Sequence, residues 1–341
     1  MPNSDLPNSD LPNVGGMRQL WLRCLTFLLI LLPGWACLEW AMARTPNAHT
    51  IKRDGVQALA DSVDTLILGS SETYYGISPH HLSGTAFNLA CPSQSLYFDY
   101  ELTQRLLPEL PRLKRVIILA NYMSLYSELY DHPESWRQYQ FHQEWGIPLQ
   151  RATDYLDLRA VSRVALYTPQ TALKALSNGF HTSSATRVDD RGWYRVPDED
   201  RWGLGVKEAQ GRLAVHHGFM KQKYLEGNVA VLERLLGLLR EHHVEAVLIT
   251  TPVWGTYRAG MRQGMWLRAR TIFEAFAQRP GVRYLNFQHE PRMTAEDFED
   301  ADHLNADGAA HFAAILDPAL GPRVEANRAG GAPRESLLQG G

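Results

Sequence analysis

Two adjacent serines follow a short apolar run and could supply a nucleophile. The run 66–68 is closed by Gly69, Ser70 and Ser71, a pattern that predicts a buried strand ending in a tight turn. If a helix begins there, its first backbone N–H groups have no partner inside the helix and can bind an oxyanion beside a serine hydroxyl. The alternative is that the serines only cap the helix, which is a common role of serine at such a turn.

A histidine and two aspartates lie close together near the other end of the chain. Asp300, Asp302 and His303 precede an apolar helix predicted over 309–316. An imidazole that a carboxylate orients can take a proton from a distant serine, so this loop would complete a site for nucleophilic acyl chemistry. Asp300 is the better orienting residue, because a β-turn brings its first and fourth residues together.

At these residues the chain resembles the SGNH (GDSL-like) hydrolase superfamily. That family carries its nucleophile in a Gly-Asp-Ser turn after the first strand, and its Asp and His in a late Asp-x-x-His. The resemblance assigns Ser71 as the nucleophile, with Asp300 and His303 as its triad partners. The sequence around both motifs is most similar to that of the membrane-anchored branch of the superfamily. This branch includes the teichoic-acid D-alanylation protein and the alginate-type O-acetylation proteins.

The resemblance also implies an oxyanion site formed by Ser71, Ser93 and Asn121. The family has glycine five residues after an asparagine such as Asn88, whereas this chain has Ser93, whose side chain narrows the approach that glycine would leave open. Of the family's next block only Asn121 is retained, since Tyr122 departs from it. The alternatives are an ordinary strand-to-helix loop at Ser93 and a loop asparagine that satisfies local backbone at position 121.

Alternating strands and helices must position these residues. Apolar runs predict strands at 66–68, 86–90, 115–120, 244–251 and 282–287, and helices are predicted at 97–107, 225–243, 267–276 and 309–316. Continuous apolar runs are typical of parallel strands, so we predict a three-layer α/β/α sandwich with a mostly parallel sheet, SGNH- or flavodoxin-like. Ser71, Ser93 and Asn121 would then share the carboxyl edge of the sheet, where ligands bind in such folds.

An apolar segment predicts a signal anchor, or single-pass transmembrane helix, over residues 17–44. Two arginines precede the apolar run 24–38, a pattern that signal peptides and uncleaved anchors share. Ala41-Met42-Ala43 offers a cleavage site, so both interpretations stay open, and the anchor is favoured because the resembling branch is anchored. The arginines predict a cytoplasmic N-terminus, with the domain on the periplasmic or outer side of the inner membrane.

The remaining chain is predicted to form one domain over 45–320. A long stretch rich in Tyr, Trp, Arg and Pro, about 123–215, predicts an insertion with two or three helices over the carboxyl edge of the sheet. The polar segment 45–62 is predicted to link the membrane to the domain. Residues 1–16 and 321–341 are predicted to be disordered from their composition.

Composition argues against several classes of function. Lys and Arg number 34 and Asp and Glu 37, which leaves a formal net charge of −3 and no reason to expect nucleic acid as a partner. The three cysteines do not indicate a disulfide framework. The paired histidines lack the spacing of metal ligands, and we predict neither a metal site nor a cofactor.

We therefore expect an extracytoplasmic serine acyltransferase or esterase acting on O-acyl groups of an envelope or exported polysaccharide. The expected partners are an acylated glycan or acyl donor, a membrane O-acyltransferase and, through the N-terminal helix, the membrane. One alternative is a catalytically inactive anchored scaffold that binds a glycan or that acyltransferase, which the departures at Ser70, Ser93 and Tyr122 favour. The other is a soluble α/β domain with a cleaved signal and an unrelated ligand.

Overall fold

A five-stranded, fully parallel sheet forms the centre of the domain. The computed structural model describes residues 14–167, 177, 187–196 and 203–321. The strands are β1 (Thr65–Leu68), β2 (Ala86–Asn88), β3 (Arg115–Leu119), β4 (Glu245–Thr250) and β5 (Val282–Asn286). They lie in the order β2-β1-β3-β4-β5, so successive strands build outward in both directions from β1.

Helices precede the sheet and cover it. In chain order the helices of the described residues are α1 (Val14–Arg44), α2 (Ala48–Ala58), α3 (Ser71–Gly76), α4 (Leu96–Leu106), α5 (Arg137–Trp145), α6 (Arg163–Leu166), α7 (Val206–Phe219), α8 (Leu225–Glu241), α9 (Gly255–Gly260), α10 (Gln263–Phe276) and α11 (Ala306–Leu320). Short 3₁₀ turns join several of them.

Each face of the sheet has its own apolar core, because successive side chains of a strand point to opposite faces. Val116 and Ile118 of β3 pack with residues of α4, α8 and α10. Ile117 between them packs with Phe312 and Leu316 of α11 on the other face. All five residues of β3 are buried, as continuous apolar strands require. The predicted three-layer α/β sandwich with a parallel sheet is therefore confirmed.

Two segments differ from the expectation for them. The predicted linker 45–62 contains α2, which has a defined start because Asn47 caps it. Its Lys52 and Val56 are buried against the domain. The segment between the predicted strand 244–251 and the predicted helix 267–276 contains α9 as a further helix. Of the predicted insertion, the described part contains α5, α6 and most of α7. Disorder is predicted over 1–16 and 321–341, but residues 14–16 form the start of α1, whose helix begins at Val14. Residues 1–13 and 322–341 lie outside the described residues, as do 168–176, 178–186 and 197–202 of the insertion.

Helix α1 is long and apolar enough to cross a membrane, and its last turns pack against the domain. Met42 has only 1% of its surface exposed. The Glu39 carboxylate accepts hydrogen bonds from the backbone N–H groups of Arg163 and Val164, at 2.9 and 3.3 Å, and from the Ser162 hydroxyl. Glu39 thus caps α6, so the C-terminal part of α1 is integrated with the folded domain.

We expect the mature protein to retain α1. Cleavage after Ala43 would remove the Glu39 cap from α6 and uncover the apolar surface that Met42 buries. Intact-mass measurement of the protein extracted from membranes should give an N-terminus upstream of Ala43. A mature chain that begins at Arg44 would contradict this expectation.

Candidate active site

The turn between β1 and α3 places Ser71 at the carboxyl edge of the sheet. Gly69 has a φ of +119°, and a Cβ atom there would lie 2.4 Å from Cβ of Leu119, so the turn requires glycine. Ser70 occupies the N-cap position of α3, but its side chain makes no capping hydrogen bond. The Ser71 hydroxyl instead contacts His303. The capping role that serine often has at such turns is therefore absent from both side chains.

The late aspartate–histidine loop meets this turn. The Ser71 Oγ lies 2.8 Å from Nε2 of His303, and His303 Nδ1 lies 3.0 and 3.1 Å from the two carboxylate oxygens of Asp300. Asp300 Oδ1 also accepts from the backbone N–H groups of Asp302 and His303, at 2.9 and 2.8 Å. One carboxylate thus closes the turn and orients the imidazole, and the three predicted triad residues form a continuous hydrogen-bonded chain.

Asp302 is held by an arginine that no sequence motif indicates. Arg212 of α7 donates to both oxygens of Asp302, each at 2.8 Å, in the paired geometry that suits a guanidinium and a carboxylate. The same carboxylate lies 3.6 Å from Nε2 of His303, the nitrogen that faces Ser71. Arg212 lies 90 residues away from Asp302 in sequence, and no motif connects it with this loop.

Two carboxylates stabilise the charged form of the imidazole. Burial by itself lowers the pKa of His303, but Asp300 and Asp302 outweigh it and raise the pKa to about 9. Burial would raise the pKa of Asp302, whereas His303 and Arg212 lower it well below its ordinary value. The neutral imidazole, which is the form that can accept the Ser71 proton, is therefore favoured only at a higher pH than for an ordinary histidine.

The Ser93 loop has the backbone conformation that glycine favours. Ser93 has a φ of +60°, within the left-handed region that few non-glycine residues adopt. Its hydroxyl donates to Glu134, which turns the side chain toward the insertion. Ser93 therefore differs from the family's glycine in its side chain, but its backbone has a conformation that glycine adopts readily.

Asn121 lies directly after β3 and is engaged with neighbours on both ends of its amide. Its Nδ2 donates to Glu72 at 2.8 Å, and its Oδ1 accepts from the backbone N–H and the hydroxyl of Ser124, both at 2.9 Å. An amide nitrogen carries two hydrogens, so one remains for a ligand. Sequence reasoning placed Asn121 at this edge but did not identify Glu72 as its partner.

Glu72 is a buried carboxyl beside the nucleophile. Burial raises its pKa to about 7, against hydrogen bonds from Thr251 and Asn121 that favour the ionised form. The Thr251 hydroxyl donates to Glu72 at 2.8 Å from the end of β4. Glu72 therefore ties together residues that follow β1, β3 and β4, and it fixes the orientation of the Asn121 amide.

Two further buried charges hold the loops around Ser71 and Ser93. Asp99 of α4 accepts from the Gly69 N–H at 3.1 Å and from the Gln94 amide at 2.6 Å, and burial raises its pKa to about 7. Lys52 of α2 is fully buried, and its ammonium donates to the carbonyl oxygens of Asn88 and Ala90, each at 2.7 Å, and to a third carbonyl at Gly192. Burial lowers the pKa of Lys52 to about 8.

A cavity of about 360 Å³ opens above the triad. Its wall includes Ser71, Ser93, Asn121, Arg212 and His303. The wall thus contains every residue that the sequence assigned to catalysis or to the oxyanion site except Asp300. Helices α5 and α7 of the predicted insertion also supply parts of the wall.

Two groups of side chains in the described part of the chain have the ligand types for a metal ion. One is Asp300, Asp302 and His303, whose ligand atoms all lie within 4.8 Å of one another. The Arg212 guanidinium already neutralises Asp302 and would repel a cation at that position. The other group, His80 with Asp189 and Asp190, lies nearer the surface, and acidic groups of this kind are common without a metal.

Comparisons with known proteins leave the site to be interpreted from its geometry. No protein-family model and no curated protein matches the chain. The chain is similar to a solved structure described as "a putative platelet activating factor from Streptococcus pneumonia", at 11% identity and a TM-score of 0.36, over 86% of this chain and 99% of that one. At that identity and TM-score the similarity carries no argument about function.

Removing the Asp300 charge should cost far more activity than removing that of Asp302. Asp300→Asn takes away the carboxylate that holds Nδ1 of His303, and a loss on the order of 10⁴-fold in kcat is expected by triad precedent. Asp302→Asn leaves the Ser71–His303–Asp300 chain in place, so the loss should be smaller. Hydrolysis of a short aryl ester by the purified full-length variants measures both. Equal losses, or a larger loss at Asp302, would refute the assignment.

The activity should rise with pH through the alkaline range. Only neutral His303 can accept the Ser71 proton, and two carboxylates hold its pKa near 9. Below that value log kcat/KM should increase by about one per pH unit and level off above it. Asp302→Asn removes one of the two negative charges that stabilise the imidazolium, so the rising part of the pH–rate profile should move to lower pH. An unchanged pH–rate profile in this variant would contradict the role of Asp302 in stabilising the charged imidazole.

Proposed function

We propose that this chain is an extracytoplasmic, SGNH-like serine acyltransferase or esterase. One observation carries the proposal, the hydrogen-bonded chain from Asp300 through His303 to Ser71. Serine is a weak nucleophile at neutral pH and needs an adjacent base that a third group orients. This arrangement supplies both, and it lies in a cavity large enough for a small acyl ester.

In the proposed reaction the Ser71 oxygen attacks the acyl carbonyl while His303 takes the hydroxyl proton. The resulting tetrahedral oxyanion collapses, the ester bond breaks, and His303 returns the proton to the departing alcohol. A second hydroxyl, from water or an acceptor sugar, then attacks the acyl-Ser71 ester by the same proton transfers in reverse order. Asp300 keeps the imidazole in the required tautomer and stabilises its charged form.

The oxyanion would be held by donors at the carboxyl edge of the sheet. The candidates are the backbone N–H groups of Ser71 and Ser93 and the second amide hydrogen of Asn121. Such donors contribute roughly 2.7–4 kcal/mol each to the rate in well-aimed sites. The left-handed backbone at Ser93 supports its place in this set, since the family's glycine belongs at that position.

The proposed substrates are O-acyl groups of an envelope or exported polysaccharide. The cavity wall carries polar side chains, among them Gln94, Glu134 and Arg137. Amide, carboxylate and guanidinium groups can accept from or donate to the hydroxyl groups of a sugar. The proposed partners are the acylated glycan or acyl donor and a membrane O-acyltransferase.

The proposed location is the inner membrane, with the domain on the periplasmic or outer side. Helix α1 supports it by its length and apolar surface, and the arginines at positions 18 and 23 support a cytoplasmic N-terminus. An acyltransferase at this place would meet polysaccharide during or after export.

A catalytically inactive scaffold is the second candidate. The Asn121 amide already donates to Glu72, and the Ser93 side chain replaces a glycine, which together favour a site that binds a glycan without acyl transfer. The two candidates differ in whether Ser71 reacts covalently.

A fluorophosphonate probe should label the full-length protein at Ser71. The probe needs a serine that an adjacent base activates, so Ser71→Ala should abolish labelling. Gel fluorescence of the labelled protein, with peptide mass spectrometry, identifies the modified residue.

Ser70→Ala is the matched control, because Ser70 lies next to Ser71 and makes no side-chain capping bond. It should retain labelling. Loss of labelling in Ser70→Ala alone would move the nucleophile by one residue. A folded native protein that never reacts would support the scaffold instead.

A further inference from the structure

An apolar patch lies on the surface of the domain between residues 155 and 161. Its members are Tyr155, Leu156, Leu158 and Val161, exposed by 46, 86, 57 and 79%. They belong to or follow two 3₁₀ turns, Ala152–Leu156 and Leu158–Ala160. Outside α1, the other large apolar side chains exposed in the described domain are dispersed at Val206, Val215 and Leu267. Contiguous exposed apolar groups mark interaction surfaces, whereas single ones need no explanation.

The chain directly after the patch contacts the membrane helix candidate. Glu39 of α1 accepts hydrogen bonds from the backbone of Arg163 and Val164. Helix α6, which these residues begin, packs against both α1 and the Leu158–Ala160 turn. The patch is therefore fixed to α1 at the level of Glu39.

The first and the last of the three tryptophans in α1 give the level of the bilayer surface. Trp21 and Trp40 are both exposed, and the 19 residue steps from one to the other span about 28 Å of helix. The hydrocarbon core of a bilayer is about 30 Å thick, and tryptophan is enriched at its two boundaries. Trp40, with the Arg44 guanidinium 3.9 Å from its ring centroid, then lies at the boundary on the domain side, and Glu39 lies beside it.

The charges around the patch are compatible with lipid headgroups. The Asp154 and Asp157 carboxylates are each 2.6 Å from a guanidinium, those of Arg151 and Arg159. The acidic groups of the segment are thus neutralised by their neighbours. They offer little repulsion to anionic lipid.

We propose that the patch 155–161 inserts into the interface of the bilayer that α1 crosses, and so forms a second membrane contact. The proposal rests on the membrane location proposed for α1 and not on the chemistry of Ser71. It holds the domain against the membrane at two points instead of allowing it to swing on α1 alone.

This contact would place the active-site wall near the bilayer. The Tyr155 hydroxyl accepts from the Leu149 N–H at 2.9 Å, and the Gln150 amide donates at 3.1 Å to Glu128, which lines the cavity. The patch is thus joined to the cavity wall through a few residues. A substrate presented at the membrane surface would reach the site directly.

Lipid quenching tests the contact in the full chain. Cys24 and Cys37 are replaced by serine, and Leu158→Cys carries an NBD fluorophore in nanodiscs of phosphatidylcholine and phosphatidylglycerol with nitroxide-labelled acyl chains. Leu267→Cys is the matched control, since its side chain is 56% exposed against 57% for Leu158. Quenching at position 158 should be several-fold stronger than at position 267.

Further variants keep the outcomes distinct. Leu156→Ser combined with Val161→Ser should lower quenching at position 158 to the level at position 267. Equal quenching at both positions in the original chain, or no effect of the serine replacements, overturns the proposal and points to a protein occupant.

An NBD fluorophore at position 28 of α1 (Leu28→Cys) tests the anchor itself. If the nitroxide lipids do not quench it, both the proposed membrane anchor and the proposed membrane contact of the patch are overturned. In the Ser71→Ala variant, the fluorophore at position 158 should be quenched as strongly as in the chain with Ser71. A failure of the proposed chemistry would therefore leave this result unchanged and remain distinguishable from a failure of the membrane contact.

Discussion

The Asp300 carboxylate is the interaction on which the site depends. It accepts three hydrogen bonds from its own loop, two from backbone N–H groups and one from the imidazole of His303. The backbone bonds fold the loop into a turn, and the same turn directs Nε2 of His303 at Ser71. Local chain geometry and the placement of a catalytic group thus have a single cause, so a change at Asp300 would disturb both.

The remaining supports act between strand ends. Glu72 connects the turns after β1, β3 and β4, and Asp99 connects the turn after β1 to the loop after β2. Both are buried carboxyls that accept bonds from neutral donors, and burial raises the pKa of each to about 7. A parallel sheet brings its strand ends to one edge, but side-chain bonds of this kind are needed to fix the loops relative to one another.

The parts of the structure that follow from local pattern were predictable. Continuous apolar runs and helical spacing predicted the parallel sheet, and a β-turn argument placed Asp300 rather than Asp302 on the inner nitrogen of His303. Arg212, Lys52 and Glu72 were not found, because their importance arises from contacts across 36 to 179 residues of sequence. The left-handed backbone at Ser93 could not be predicted for a different reason, because serine seldom adopts this conformation and nothing in the residue type indicates it.

Lys52 also determines where the domain can be cut for expression. Its ammonium fills a site made by three carbonyl oxygens, and two of them flank the loop that leads to Ser93. A soluble fragment that began at β1 would lack α2 and leave those carbonyls buried without a donor, which is costly for a folded protein. A recombinant fragment that keeps Lys52 in place must therefore include Asn47, which caps the helix that carries Lys52, and one that also keeps the cap on α6 must begin at or before Glu39.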